Sequence, residues 1–379
     1  MSNLKGRIEN IIERIVNYVI NKIEQQIHWW RHIHSRKKFT ERDMSSKDSN
    51  IKARLSENDI REIKSLYSNN FNILKKGRKW YMLYKTLWPN DSLKYFIPDN
   101  FYYMYIDDYF ADRRDCNIID DKNFYDMFFY DVKQPRTIAR REDGELLTFD
   151  YRPLNFEEFS ALCKEEKRVI IKQSVNSSGG KGVAFYDAEH DPTSKLKDCL
   201  KNKNFIVQEV VNQHHELSKL HPESLNTIRI MTFFFEGKVH VLSAVVRMGV
   251  AGAKVDNASS GGIVCGINSD GTLKDRAFDT KANCYPVHPS SGVHFESVTI
   301  PNFNEFLELC KRLALRFINN TKLISWDFAV NSDGHPELIE VNLSYGEIDF
   351  HQMCNGSIFG PMTEKVIRYV FENNPRLKK

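Results

Sequence analysis

Two stretches of this chain carry residue types that do chemistry together. The first, IIKQSVNSSGGKGVAFYD at 170–187, sets Lys172 inside an apolar run and leads into a serine- and glycine-rich loop with a second lysine. A lysine flanked by Ile170, Ile171 and Gln173 must expose its head at one face or meet an anion there, because an unpaired buried ammonium is very costly. Gly179, Gly180 and Gly182 let the backbone approach an anion and aim successive N–H groups at it, with Lys181 at the tip. The loop is not a Walker A motif, since Val175 stands where its first glycine belongs and Gly182 follows Lys181. A tight turn is the plain reading of the glycines alone; with both lysines the pattern suits a nucleoside triphosphate.

The second stretch is SWDFAVNSDGHPELIEVN at 325–342, which reads as a hairpin. A turn through 331–336 sets Val330 against Glu337, so Asp327 falls opposite Glu340, and Asn342 points to the same face two residues on. Paired carboxylates repel unless a cation lies between them. A basic side chain would serve, but this set of hard oxygen donors suits Mg²⁺, which takes one or two carboxylates together with phosphate oxygens. The apolar neighbours Trp326, Phe328, Ile339 and Val341 assign the opposite face of the hairpin to a core.

Between the two lies TIRIMTFFFEGKVHVLSAVVR, a long hairpin about Glu236-Gly237. Its Arg229 and Arg247 are suited to a transferring phosphoryl group or a carboxylate, which arginine binds bidentately. With a two-residue turn they point to opposite faces, whereas a one-residue bulge would bring them together, and the sequence leaves both open. VDNASSGG at 255–262 reads as a loop offering an amide, two hydroxyls and backbone N–H groups, or simply a solvated turn.

The remaining elements have to position these groups. RVIIKQ, GVAFYD and FIVQEVV read as strands, PNFNEFLELCKRLALRFIN as a helix, and QPRTIARREDGELLTF as two short strands about an Asp-Gly turn. Hairpins mixed with helices predict an α+β fold with antiparallel sheet. SENDIREIKSLY opens a helix with a capping pattern at Ser56, and IDDKNFYDMFF at 119–129 starts another. Ile8, Ile12, Ile15, Val19, Ile23, Ile27 and Trp30 recur at helical spacing over 1–30, and the charged stretch after them shows no periodicity to about 55. This amphipathic helix packs on the body of the protein or on a second copy. A peripheral membrane role, with Trp29 and Trp30 at the headgroups and Arg31, Arg36, Lys37 and Lys38 beside anionic lipid, is the alternative.

Composition narrows the class. The 379 residues suffice for about two to three domains, and 41% hydrophobic residues exclude a disordered chain. A net charge of +4, from 54 basic and 50 acidic residues, gives no case for nucleic acid. The seven cysteines are scattered with no C-x-x-C pair, as expected of free thiols in a reducing compartment. No apolar run is long enough for a spanning helix, so the expected location is cytoplasmic, peripheral at most to the inner face of the membrane.

In their order along the chain, DDKNFYDMFF, VIIKQSVNSSGGKGV, IVQEVV, LNTIRIMTF, RMGVAGAKVDNASSGGI and WDFAV…LIEVN resemble an ATP-grasp enzyme over about 119–365. The likeness is strongest to the sugar-transfer-associated branch of polysaccharide biosynthesis and weaker to α-L-glutamate ligases. It implies two α+β subdomains clasping ATP: residues 136–212 as the small one with its glycine lid, and 213–379 with the metal and substrate site. Residues 1–55 (amphipathic helix and charged linker) and 56–135 (helical, aromatic-rich) would precede them. By the same resemblance Lys122 and Lys172 hold the ATP phosphates under a lid containing Ser178, Gly179, Gly180 and Lys181. Gln208, Glu209 and Val211 form the adenine-reading hinge, and Glu216 meets the ribose. Arg229 and Arg247 lie near the γ-phosphate and acyl intermediate, Asn257 belongs with Asp256, Gly261 and Gly262 to a loop lining the reaction centre, and Asp327, Glu340 and Asn342 hold Mg²⁺. The implied activity is an ATP- and Mg²⁺-dependent ligase that joins a small-molecule or glycan carboxylate to an amine through an acyl phosphate. A sugar or polyol kinase on the same fold, or a non-catalytic adaptor of a glycan assembly complex, are the alternatives.

Overall fold

The computed structural model describes residues 34–67, 71–111, 119–175, 182–344 and 346–377, together with Val16 and Ile20. Val16 and Ile20 are helical and exposed; the rest of the 1–30 helix lies outside the described residues.

Two antiparallel sheets organise the chain. The smaller one is drawn wholly from β1 (Thr137–Glu142), β2 (Glu145–Thr148), β3 (Arg168–Gln173), β4 (Val183–Asp187) and β5 (Phe205–Glu209), in the order β2-β1-β5-β3-β4. β1 and β2 turn through Asp143 and Gly144, both at positive φ, the geometry that two-residue Asp-Gly hairpins require. The helix Phe156–Glu165 begins in a reciprocal cap between Asn155 and Glu158 and packs Phe159 and Cys163 on this sheet.

The larger sheet contains β6 (Thr227–Phe235), β7 (Lys238–Met248), β8 (Ile263–Ile267), β9 (Leu273–Phe278), β10 (Cys284–Tyr285), β11 (Leu323–Val330) and β12 (Pro336–Asn342). Their order is β10-β9-β8-β7-β6-β11-β12. β8 to β10 extend the sheet beyond the loop at which the sequence reading stopped. Alternation along β11 decides the function of each face. Ile324, Trp326, Phe328 and Val330 enter one core with the helix Phe303–Ala314 and with Tyr125 and Phe129. On the other face Leu323, Met231, Phe233 and Phe235 pack under a helical layer, but Asp327, Arg229 and Arg247, further along the same strands, are charged. That face is a core at one end and a polar floor at the other.

The helical layer draws on both ends of the chain: Trp80, Tyr84, Phe96 and Phe101 share one core with Ile348, Met353, Val366 and Val370. Each such fully buried large side chain contributes about 1.5–3 kcal/mol. The 56–135 segment is thus divided, its helices on this face and Ile119, Tyr125 and Phe129 on the other. The helix Glu57–Ser65 starts at a capping box of Ser56 and Asp59.

Residues 34–47, expected to be a charged linker, form a helix. Its buried stripe is Arg36, Thr40, Met44 and Lys47, at helical spacing but mostly polar, so hydrophobic periodicity is blind to it. Arg36, placed beside lipid in the membrane alternative, points inward to Asp107 at 2.9 Å. Among the described residues no helix is long and apolar enough to cross a membrane.

Candidate active site

The two sheets face each other across a cavity of 1930 Å³. From the small sheet and its exit come Lys172, Glu209 and Val211; from the large sheet come Arg229, Arg247, Asp327, Glu340 and Asn342. Lys122 and Asn257 reach it from connecting segments.

Two β-bulges put the charged residues on one face. In the β6–β7 hairpin Thr232 pairs with Val241 but Met231 with Ser243, which leaves Leu242 as the extra residue. Beyond it Arg247 pairs with Thr227, and Arg229 pairs with Asp327 on β11, so both arginines point to the same side. In the β11–β12 hairpin Asp327 does lie opposite Glu340, but by a different route from the six-residue turn expected. Val330 pairs with Pro336 across a five-residue turn, and Ile339 is bulged out between the Phe328–Leu338 and Asp327–Glu340 pairs. Without that bulge Asp327 would face Ile339, and Glu340 would turn into the core. The bulge also brings Ile339 to the cavity wall, not to the core with Trp326 and Phe328.

Asp327 is 2% exposed and is the hub of the floor. Arg229 grips it bidentately, Nε to Oδ1 at 2.7 Å and Nη2 to Oδ2 at 2.6 Å. Arg247 donates to Oδ2 at 3.3 Å and Asn342 at 3.4 Å. Burial works to raise the Asp327 pKa, but the two guanidinium charges and the hydrogen bonds outweigh it and hold the carboxyl below its ordinary value.

Glu340 accepts from Lys122 Nζ at 2.7 Å through Oε1. Lys122 lies in a short 3₁₀ turn, Lys122–Phe124, whose first residue donates its backbone N–H to Ser174 at the end of β3. Buried Arg140 holds the same turn through Asn123 O and Asp126. Lys122 therefore ties the small sheet to the large one at the cavity. Lys172 donates to Gln208 Oε1 at 3.2 Å. Burial first, then the neighbouring Lys122 charge, bring its pKa down to about 8 despite Glu340, Glu337 and Asp256. It remains mostly charged at neutral pH, and an arriving phosphate would raise its pKa again.

Asn257 caps a short turn by accepting from Ser259 N at 2.9 Å, and Asp256 accepts from Thr227 N at 3.2 Å. Gly262 closes this loop where no side chain fits: a Cβ there would lie 2.6 Å from Asp256 O and 2.7 Å from Met248 O. Gln208 is buried, holds Pro135 O at 3.2 Å, and meets Lys172 without lining the cavity. Glu216 also stands off the cavity wall and pairs with Lys219 and His215. Ser178, Gly179, Gly180 and Lys181 lie outside the described residues.

Glu347 and Asp120 line the cavity without having been expected there from the sequence. Glu347 forms an ion pair with Arg229 at the left-handed start of the helix Ile348–Asn355. It gets there because Gly346 passes close over the sheet, where a Cβ would sit 2.2 Å from Met231 Cε. Asp120 is driven up to about 6, by burial first and with Glu340 adding to it, against the pull of Lys122. Its presence beside Lys122 in DDKNF was the only available signal.

The Asp327, Glu340 and Asn342 set fits a hard divalent cation. All three lie on one face; Glu340 Oε2 has no protein partner among the described residues, whereas both Asp327 oxygens are held by arginine, so Asp327 would join a cation by loosening one of those contacts.

The model of a family described as sugar-transfer associated ATP-grasp matches residues 102–368, more than half of the chain. Among solved structures the chain is similar to D-alanyl-alanine synthetase A from Vibrio cholerae O1 biovar eltor, at 11% identity and TM-score 0.39 over 66% of this chain and 62% of that one. It is similar also to the ATP-grasp ligase PsnB with a minimal precursor, Mg and ADP, at 13% identity and TM-score 0.40 over 69% of this chain and 62% of that one. A third is the biotin carboxylase domain of Hydrogenobacter thermophilus 2-oxoglutarate carboxylase, at 15% identity and TM-score 0.41 over 68% and 46%. The chain thus spans less than two thirds of the length of these structures. Comparison with curated proteins gave no match.

Proposed function

Because the chain belongs to the sugar-transfer-associated ATP-grasp family, we propose that it is an ATP- and Mg²⁺-dependent ligase that joins a carboxylate to an amine. The observation that carries this reading is the convergence of Lys122, Lys172, Arg229, Arg247, Asp327 and Glu340 on one cavity between the two sheets. A phosphoryl transfer needs little covalent help from a protein; it needs the reactants held in line and the developing charge neutralised. Lys172 and Lys122 would meet the phosphates from the small-sheet side. Glu340, Asp327 and Asn342 would hold Mg²⁺, which supplies charge neutralisation between the phosphate oxygens.

In the first step a substrate carboxylate oxygen attacks the γ-phosphorus of ATP, the bond to the bridging oxygen breaks, and ADP leaves. The product is an acyl phosphate. An amine then attacks the acyl carbon, loses a proton, and expels phosphate as the amide forms. Arg247 and Arg229 would supply positive charge beside the transferring group and the acyl oxygen, Arg229 from its place between Asp327 and Glu347. The family's association with sugar transfer supports a glycan or glycan precursor as one partner, for example an amino acid joined to a sugar acid of a surface polysaccharide. No cysteine or serine nucleophile is invoked.

The test is calorimetric titration with the non-hydrolysable analogue AMPPNP, with and without Mg²⁺, followed by a hydroxylamine-trapping screen of uronic and amino acids. Wild type should bind in a Mg²⁺-dependent way, Glu340→Gln should lose that dependence, and a hydroxamate should form with the true carboxylate. A stable phosphorylated sugar without hydroxamate would identify a kinase instead. Failure of folded wild type to bind the analogue would leave the adaptor reading.

A further inference from the structure

The cavity is larger than a nucleotide needs. Pockets for single drug-sized ligands span about 300–1,000 Å³, and this one measures 1930 Å³. The surplus is bounded in part by the helix 34–47, which contributes Phe39 and Arg42 to the wall. Both are unusual. Phe39 is 59% exposed, a large aromatic face turned to solvent at the cavity. Arg42 is exposed and has no hydrogen bond or ion pair among the described residues, although the cavity holds several carboxylates.

The helix that carries them is pinned at both ends by buried ions. Arg36 meets Asp107 at 2.9 Å with both side chains almost wholly buried. Lys47, fully buried, meets Asp43 at 2.6 Å and Asp349 at 3.2 Å. Asp349 lies two residues beyond Glu347, the partner of Arg229, so this helix is referenced directly to the reaction centre. Phe39 and Arg42 are three residues apart and therefore neighbours on the exposed side of the helix, away from the buried stripe. Burying ions to fix a helix is energetically poor unless the position of what the helix presents matters.

We propose that Phe39 and Arg42 form a recognition surface for the sugar partner and select one that bears an anionic group, a carboxylate or a phosphate, separate from the group that reacts. The guanidinium binds either oxyanion bidentately. The negative face of the Phe39 ring meets the C–H groups of a pyranose. The inference deepens the ligase reading by naming a recognition group on its sugar substrate, and it rests on that reading only for the chemistry that follows binding. Both residues are specificity determinants; neither is placed on the reacting atoms.

The test is saturation-transfer-difference NMR on the full chain, with D-glucuronic acid, D-glucose 6-phosphate and D-glucose as probes, each with and without Mg·AMPPNP. At least one charged sugar should bind and glucose should not, and which one binds separates carboxylate from phosphate. Arg42→Ala should weaken that probe by about 10-fold or more, and Arg42→Lys should restore part of the loss. Phe39→Ala should remove transfer to the ring protons. Analogue affinity should be unchanged in all three variants. Absence of binding by both charged sugars, equal binding of glucose, or an Arg42→Ala protein that binds like wild type would each overturn the proposal. Because the sugar arm is also read without nucleotide, failure of AMPPNP to bind would count against the ligase reading alone.

Discussion

Arg229, Arg247, Asp327 and Glu347 form one buried ionic cluster, and Asp43, Lys47, Asp99 and Asp349 form another in the helical layer over the same sheet. The first brings two arginines to two carboxylates and opens on the cavity. The second sets one lysine among three carboxylates and is closed beneath Trp80, whose ring lies 5.6 Å from the lysine nitrogen. The three acids lie close enough together to suggest a metal site, but the ammonium of Lys47 already occupies the place a cation would take. What is left over differs too. In the first cluster both guanidinium groups keep Asp327 ionised, and Glu340 beside it has an oxygen to spare. In the second, one lysine cannot neutralise three acids. Burial first, then Asp349, push the Asp43 pKa up to about 6, and burial first, then Asp349 and Asp43, hold Asp99 well above its ordinary value. Similar residues leave an open polar floor where cations and carboxylates balance, and a structural pin where acids outnumber the one lysine beneath a helical layer.

The sharpest way to break this contrast is Asp327→Asn. Turnover of ATP should fall by about 10³-fold or more, while the circular dichroism melt still shows a folded protein. Retained turnover would show that the arginine cluster is only structural. Next in size, Lys47→Ala should destabilise the chain by about 3–5 kcal/mol, because it leaves buried carboxylates without their partner. Urea unfolding measures this, and AMPPNP affinity at low temperature should hardly move. A variant of wild-type stability with lost nucleotide binding would reverse the assignment of the two clusters.

The smallest effect is in pH. A carboxyl whose pKa is raised by folding contributes stability that is fully present below its unfolded value of 3.8 and lost as pH rises through about 6. Wild type should therefore lose stability relative to Asp43→Asn between pH 4 and pH 7, read as the difference between their melting temperatures. Parallel curves would mean that Asp43 titrates normally.

Much of the catalytic floor was legible. Asp327, Glu340 and Asn342 fall on one face as expected only because the shorter, five-residue turn and the bulge at Ile339 together restore the register that a six-residue turn would give. The strands around Lys172 and the Asp-Gly turn after Arg141 were also readable, since apolar runs and positive-φ turns are local signals. The helix 34–47 was not. Its buried stripe is Arg36, Thr40, Met44 and Lys47, and a buried cation looks like a surface cation until its partner, 71 residues away in the case of Asp107, is known.

The sequence by itself determined which residues carry charge, which strands they lie on, and the order of the motifs, since all of these depend on neighbours within a few positions. Only the tertiary structure decided the faces. The bulges at Leu242 and Ile339 are single-residue events, and each reverses the side to which everything beyond it points. Their positions are set by packing between strands and across the sheet. Likewise, only packing could bring Glu347 to Arg229 and lay Phe39 and Arg42 beside the cavity, because those contacts join segments that no local rule connects.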